Sequence, residues 1–150
     1  MLELDGSESW NLIVTENHGH PMITRINAAL KNQHLETQYP YRVGIAIPLK
    51  YVQANGLPTE EENKSLLKVE DYLLRVLDMA SSGILSAVIS TNGMRELMMY
   101  CNTENATDIA AQMQKSFPNY EFQHYSQLDP DWSGYLALLQ MSSGNEHSNS

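Results

Sequence analysis

Cysteine is nearly absent: Cys101 stands alone in 150 residues. One thiol cannot close an internal disulfide, and it removes any thiolate-rich metal site. No apolar run approaches the roughly 20 residues that a membrane helix needs. Basic residues are few: nine Lys and Arg face 18 Asp and Glu, a formal net charge of −9. Such a surface repels phosphate backbones and anionic lipid, which argues against nucleic-acid and membrane binding and favours encounter with a basic protein surface. The same balance also serves plain solubility. Residues 1–8 are acidic, with no basic segment ahead of an apolar stretch, so no secretory signal is visible. A reducing cytoplasm fits all of this. The chain also has no glycine-rich phosphate loop, no Gly-x-Ser-x-Gly and no His-Glu-x-x-His, which leaves the common nucleotide, hydrolase and zincin signatures unfilled.

What is present is an ordinary globular composition, 42% apolar. A chain this long makes about one domain and buries roughly two-thirds of its unfolded surface. That domain is expected over residues 8–140, behind a loose leader at 1–8 and ahead of a polar, disordered tail at 141–150 that has almost nothing to bury.

Residues 9–16 and 22–30 read as strands around a Gly19-His20-Pro21 break. In residues 41–49, Tyr41, Val43, Ile45 and Ile47 alternate with Arg42, Gly44, Ala46 and Pro48, the period-two pattern of a strand. Leu66, Val69, Leu73, Val76, Leu77 and Ala80 set a helical stripe over residues 60–80, with Glu70-Asp71 read as a solvated flank. Thr59 and Glu62 form a capping box, the acids Glu60 to Glu62 suit the helix dipole, and Gly83 is the expected stop. Asn92-Gly93 joins strands 84–91 and 94–101 through a type I′ turn. A second helix is expected over 106–117, a last strand over 120–128, and a short helix started by Asp129-Pro130-Asp131-Trp132, with Asp129 as cap. From Tyr41 the order is strand, helix, strand, strand, helix, strand. This predicts an α+β, ferredoxin-like (split βαβ) antiparallel sheet with two helices on one face, extended by an N-terminal β-hairpin and a short C-terminal helix.

The polar groups are weighed against that frame. His18-Gly19-His20 reads as solvated turn filler rather than a metal pair, and His124 as an edge or core histidine. Cys101 behaves as a small apolar residue unless a histidine such as His124 activates it. Adjacent strand residues face opposite sides, so Arg95 and Glu96 cannot work as one acid–base pair. Arg95 either pairs with a carboxylate such as Asp129 or Asp131 or meets a ligand, and the pairing is preferred.

Several short motifs then fall in a fixed order. They are Trp10 in the first strand, Gly56 to Glu62 before the long helix, and Val69-Glu70-Asp71 within it. After these come Thr91-Asn92-Gly93-x-Arg95 with Tyr100, Phe117-Pro118-x-Tyr120, and Asp129-Pro130-Asp131-Trp132 with Tyr135. In that order they resemble the bacterial domain-of-unknown-function family 695, over about residues 8–139. A more distant similarity is to regulator of ribonuclease activity B, a small acidic ferredoxin-like inhibitor that acts by binding protein. Leu97, Met98 and Met99 stand where the family more often has an aromatic. The resemblance implies no catalytic residue.

The expectation is therefore a non-enzymatic protein-binding or regulatory module with no cofactor and no metal site, and with a protein partner presenting a basic surface. The alternative is a small-molecule-binding domain or cryptic enzyme built around Arg95, Tyr100 and Trp132, with Asp131 as its carboxylate. A homodimer assembled through sheet edges is a third arrangement.

Overall fold

The computed structural model describes residues 10–148, with side chains to residue 142. Its strands are β1 (Trp10–Asn17), β2 (His20–Asn27), β3 (Tyr41–Pro48), β4 (Gly83–Thr91), β5 (Met94–Cys101) and β6 (Gln123–Leu128). They form one antiparallel sheet in the order β1-β2-β4-β5-β3-β6. Helices α1 (Glu60–Ala80), α2 (Ala106–Ser116) and α3 (Ser133–Ser148), with a 3-10 turn at Ala28–Asn32, complete the α+β fold.

Helix α1 covers the residues its periodicity predicts. Leu66, Val69, Leu73 and Leu77 are buried, each burial contributing about 1.5–3 kcal/mol. The Thr59 hydroxyl accepts from the Glu62 N–H at 3.2 Å, one half of the expected capping box. The other half is absent: Glu62 instead takes the backbone N–H groups of Lys50 and Tyr51. The helix ends at Ser81, which holds the left-handed conformation (φ 47°) expected of a glycine. Gly83 opens β4 instead. A Cβ there would stand 2.7 Å from both the Cys101 sulfur and the Tyr100 carbonyl oxygen, so a close crossing of β5 explains this glycine.

Asn92 and Gly93 both have positive φ, as the type I′ hairpin requires. The N-terminal hairpin turns one residue earlier than expected, at His18-Gly19, again with both φ positive. β2 stops at Asn27, whose side chain accepts from the Ala29 N–H and starts the 3-10 turn. β6 starts only at Gln123. Trp132 also departs from expectation: it is left-handed (φ 56°), and α3 begins at Ser133 rather than at Pro130.

Two cores lie on opposite faces of the sheet. One packs Val43, Ile45, Leu97 and Met99 under Leu66 and Leu73 of α1 and Met113 of α2. The other packs Ile13, Ile26, Met98 and Tyr100 under Trp132, just ahead of α3, and Tyr135 in its first turn. A bulge at Ser86 shifts the β4 register, so Leu85 and Val88, three residues apart, share the α1 face. Ser86 is fully buried and donates to the Met98 carbonyl at 2.9 Å. Helix α3 runs on to Ser148, into the segment whose composition marks a polar tail, and Ser142 is buried against Asn11. The leader at residues 1–8, residue 9, residues 149–150 and the side chains beyond 142 lie outside the described residues.

These assignments predict opposite effects at two neighbouring positions. Gly83→Ala should cost about 1–3 kcal/mol through the clash with β5, whereas Ser81→Gly should stabilise by up to about 1 kcal/mol by relieving the left-handed strain. Chemical denaturation of the two variants checks this, and reversed signs would return the helix stop to Gly83.

Candidate functional site

The sheet register assembles a cluster that no local motif announces. Leu12 lies opposite Arg25, Arg25 opposite Val88 and Val88 opposite Leu97, forming one row across the sheet. Val14, Ile23, Ser90 and Arg95 form the adjacent row. Side chains of both rows stand on the α1 face, because strand residues two apart share a side. Glu70 reaches down from α1 between the two arginines. Its Oε1 accepts from Arg25 Nη2 at 2.8 Å and its Oε2 from Arg95 Nη1 at 3.3 Å. Arg95 also donates from Nε to Ser90 at 3.0 Å and from Nη2 to Asn63 at 2.8 Å. Burial pulls the Arg95 pKa down, Glu70 opposes that pull, and the like charge of Arg25 adds to it.

A cleft of about 250 Å³ opens above this cluster. Leu12 and Ile23 form one wall, Leu57 and Pro58 the other, with Arg25 and Arg95 at its floor. The loop that carries Leu57 and Pro58 is held to the β4–β5 hairpin: Gly93 N–H donates to Gly56 O, and Leu49 N–H to Gly93 O, both at 2.8 Å.

The preferred pairing of Arg95 with a carboxylate is thus found, with Glu70 in place of Asp129 or Asp131. Glu70, expected on a solvated flank, is buried. It lies four residues after Leu66 and three before Leu73, so helical spacing already placed it inside the stripe. Arg25 was not singled out either. Its signal was a charge two residues after Ile23, on the same face of a strand.

Tyr100, Trp132 and Asp131 do not join Arg95. Even and odd positions of β5 face opposite sides, so Tyr100 lies in the α3-side core, stacked on Trp132 with centroids 4.2 Å apart. Its hydroxyl donates to Asp129 at 2.7 Å and accepts from the Tyr135 N–H at 3.1 Å. Trp132 Nε1 donates to the Tyr39 carbonyl at 2.8 Å. Asp131 is exposed. The capping carboxylate is Asp129, which accepts from the backbone N–H groups of Ser133 and Gly134. Desolvation opposes its ionisation, but bonds from Tyr100, Gly134 and Ser133 outweigh that and lower its pKa from 3.8 to about 2.

The remaining candidates stay apart. His18 and His20 are exposed at the hairpin tip. Cys101 is fully buried, with its thiol pushed up to about 12 by desolvation. His124 sits on exposed β6 opposite Ile45, whereas Cys101 is opposite Tyr41, so the two do not meet. Among the described residues no group of three His, Cys, Asp or Glu side chains gathers as a metal site. No described helix is long and apolar enough to cross a membrane.

A single antiparallel sheet, with a core on each face and a buried Arg–Glu–Arg bridge beneath a small cleft, defines the class of protein. The chain belongs to the Family of unknown function (DUF695), whose model matches residues 8–140. No curated protein and no solved structure matches it.

Removing Glu70 leaves two guanidiniums uncompensated, one of them buried. Glu70→Gln should therefore cost about 3 kcal/mol, seen as a lower denaturant midpoint. A variant as stable as the parent would mean that water already satisfies the arginines.

Asp129 should make stability pH-dependent. Its folded pKa lies below its unfolded value, so its contribution is complete above about pH 4 and is lost as pH falls toward about 2. The displacement corresponds to roughly 2 kcal/mol. Asp129→Asn should lose that amount at pH 6 and approach wild-type stability at pH 2. A gap independent of pH would show that the cap does not act through charge.

Proposed function

We propose that this protein is a non-enzymatic binding module that engages a partner protein through the α1-side face of its N-terminal hairpin. The observation that carries the proposal is the shelf formed by Leu12 and Val14, 61% and 59% exposed on edge strand β1, directly beside the arginine-floored cleft. Exposed apolar side chains beside a sheet edge that pairs with no other strand among the described residues fit the surfaces by which sheets capture partner segments. The net charge of −9 would steer the protein toward a basic partner in a cytoplasmic setting. The order β4-β5-β3-β6, with α1 and α2 as the crossovers, supports a ferredoxin-like reading of residues 41–128. The distant resemblance to regulator of ribonuclease activity B is in keeping with a protein that acts by binding.

The test places a photo-crosslinking side chain at position 14 of the full chain in native extract. A reproducible protein adduct is expected, and Leu12→Asp and Leu12→Lys, each made in the crosslinker-bearing chain, should weaken capture about tenfold without altering the thermal midpoint. Adducts unaffected by those substitutions, or none at low salt, would sink the reading. Sedimentation as a dimer that the same substitutions dissolve would assign the edge to a second copy instead.

A further inference from the structure

The two arginines are unequally engaged. An arginine has five N–H donors. Arg95 gives three of them to Ser90, Glu70 and Asn63, whereas among the described residues Arg25 donates to Glu70 alone. The Arg25 side chain is 36% exposed, and its guanidinium lies 5.8 Å from the Trp10 ring, a contact that leaves its N–H edge available. The charged side chains lining the cleft are Arg25 and Arg95, and no described carboxylate lines it. Glu70 lies beneath, each oxygen bonded to a different guanidinium, so one positive charge is left over. The other acid near Arg95 is Glu62, which faces away: its oxygens accept from Lys50 N, Tyr51 N and the Tyr120 hydroxyl.

We propose that this cleft is a carboxylate pocket that receives one Asp or Glu side chain from a partner segment lying on the Leu12–Val14 shelf. The proposal rests on the binding-module reading and adds the chemistry of the contact. Size selects the source of the carboxylate. At about 250 Å³ the cleft falls below the roughly 300–1,000 Å³ typical of pockets that enclose small molecules. It holds one side chain, with the rest of the segment left to the shelf. A guanidinium recognises a carboxylate through parallel N–H bonds, and Arg25 has donors to spare for that geometry. An arriving anion also offsets the desolvation and like-charge repulsion that Arg95 bears. The long-range field and the pocket thus differ in sign: the net charge of −9 selects a basic partner at a distance, and the cleft then demands one acidic residue at a fixed place within it.

The experiment is an NMR titration of the ¹⁵N-labelled full chain with three probes: acetyl-Val-Glu-Val-amide, acetyl-Val-Gln-Val-amide and isovalerate. The glutamate peptide is expected to shift the Arg25, Ser90 and Arg95 signals and to bind about tenfold more tightly than its glutamine counterpart. Arg25→Gln should abolish that preference, and Arg25→Lys, which keeps the charge but not the fork, should retain only part of it. Spectral dispersion and a cooperative denaturation transition, at a lower midpoint where the bridge to Glu70 is lost, establish that each variant folds. Equal binding of the two peptides, or a preference that survives Arg25→Gln, overturns the proposal. Isovalerate binding as tightly as the glutamate peptide would assign the cleft to a free small acid and overturn it too. Crosslinking at position 14 separates the two levels. Capture by the wild-type chain that persists in Arg25→Gln sinks the pocket and spares the binding module, whereas no capture by the wild type sinks the module itself.

Discussion

Glu70 is the constraint on which the architecture turns. It projects from α1 onto two strands that are far apart in sequence, binding Arg25 of β2 and Arg95 of β5 at once. Without that bridge the N-terminal hairpin would be held to the rest of the sheet by the β2–β4 ladder and by packing on its α3 side. Burying such a triad costs desolvation, and apolar residues of similar volume often stabilise a fold as well or better. What ionic groups supply instead is selectivity of position. Only one register of β2 and β4 and one rotation of α1 bring both guanidiniums to the two oxygens. A slip of one residue in β2 would send Arg25 into the α3-side core.

The bulge at Ser86 serves the same end. Leu85 must face α1 to complete the core, and strict alternation would then send Val88 and Ser90 to the opposite side. Placing one extra residue in β4 restores both to the α1 face, where Ser90 accepts from Arg95 and Val88 floors the cleft. The extra residue is Ser86, whose hydroxyl finds the Met98 carbonyl, so the irregularity leaves no buried side-chain donor idle. The opposite face is built differently: Asp129, Tyr100, Trp132 and Tyr135 bond and stack among themselves and to backbone, fixing where α3 starts. One side of the sheet locks a helix end, and the other leaves a cleft.

Features governed by neighbours in sequence were legible in advance. Helix α1, the Asn92-Gly93 hairpin and the alternation of β5 follow from stripe, turn chemistry and period two, each a property of a short window. Asp129 was recognised as a cap because its carboxylate suits free N–H groups, although a left-handed Trp132 displaced the helix start. Features set by register stayed hidden. The Arg25–Glu70–Arg95 bridge joins residues 25, 70 and 95, and no local pattern states which strand lies beside which. Glu70 also shows how a residue-type rule misleads, since an acid at a stripe position was assigned to solvent when a paired acid belongs inside. Ser86 and Ser81 escaped because bulges and left-handed caps can be filled by residues that give no composition signal.

The bare shelf has a geometric origin. Strands lie roughly 4.8 Å apart, so a six-stranded sheet spans nearly 30 Å, whereas two packed helices at about 10 Å spacing cover only some 20 Å. Two strands' width must stay open on the α1–α2 face. Helix α2 packs toward β3 and β6, and α1 toward β4, which places the gap over β1 and β2. Leu12 and Val14 could have been polar there at no cost to this core, because neither contributes to it. Their apolar character, together with arginines in place of a full apolar floor, is therefore unaccounted for by the stability of the isolated domain. A second surface laid on the hairpin would account for both, burying Leu12 and Val14 and supplying the charge that Glu70 alone cannot balance.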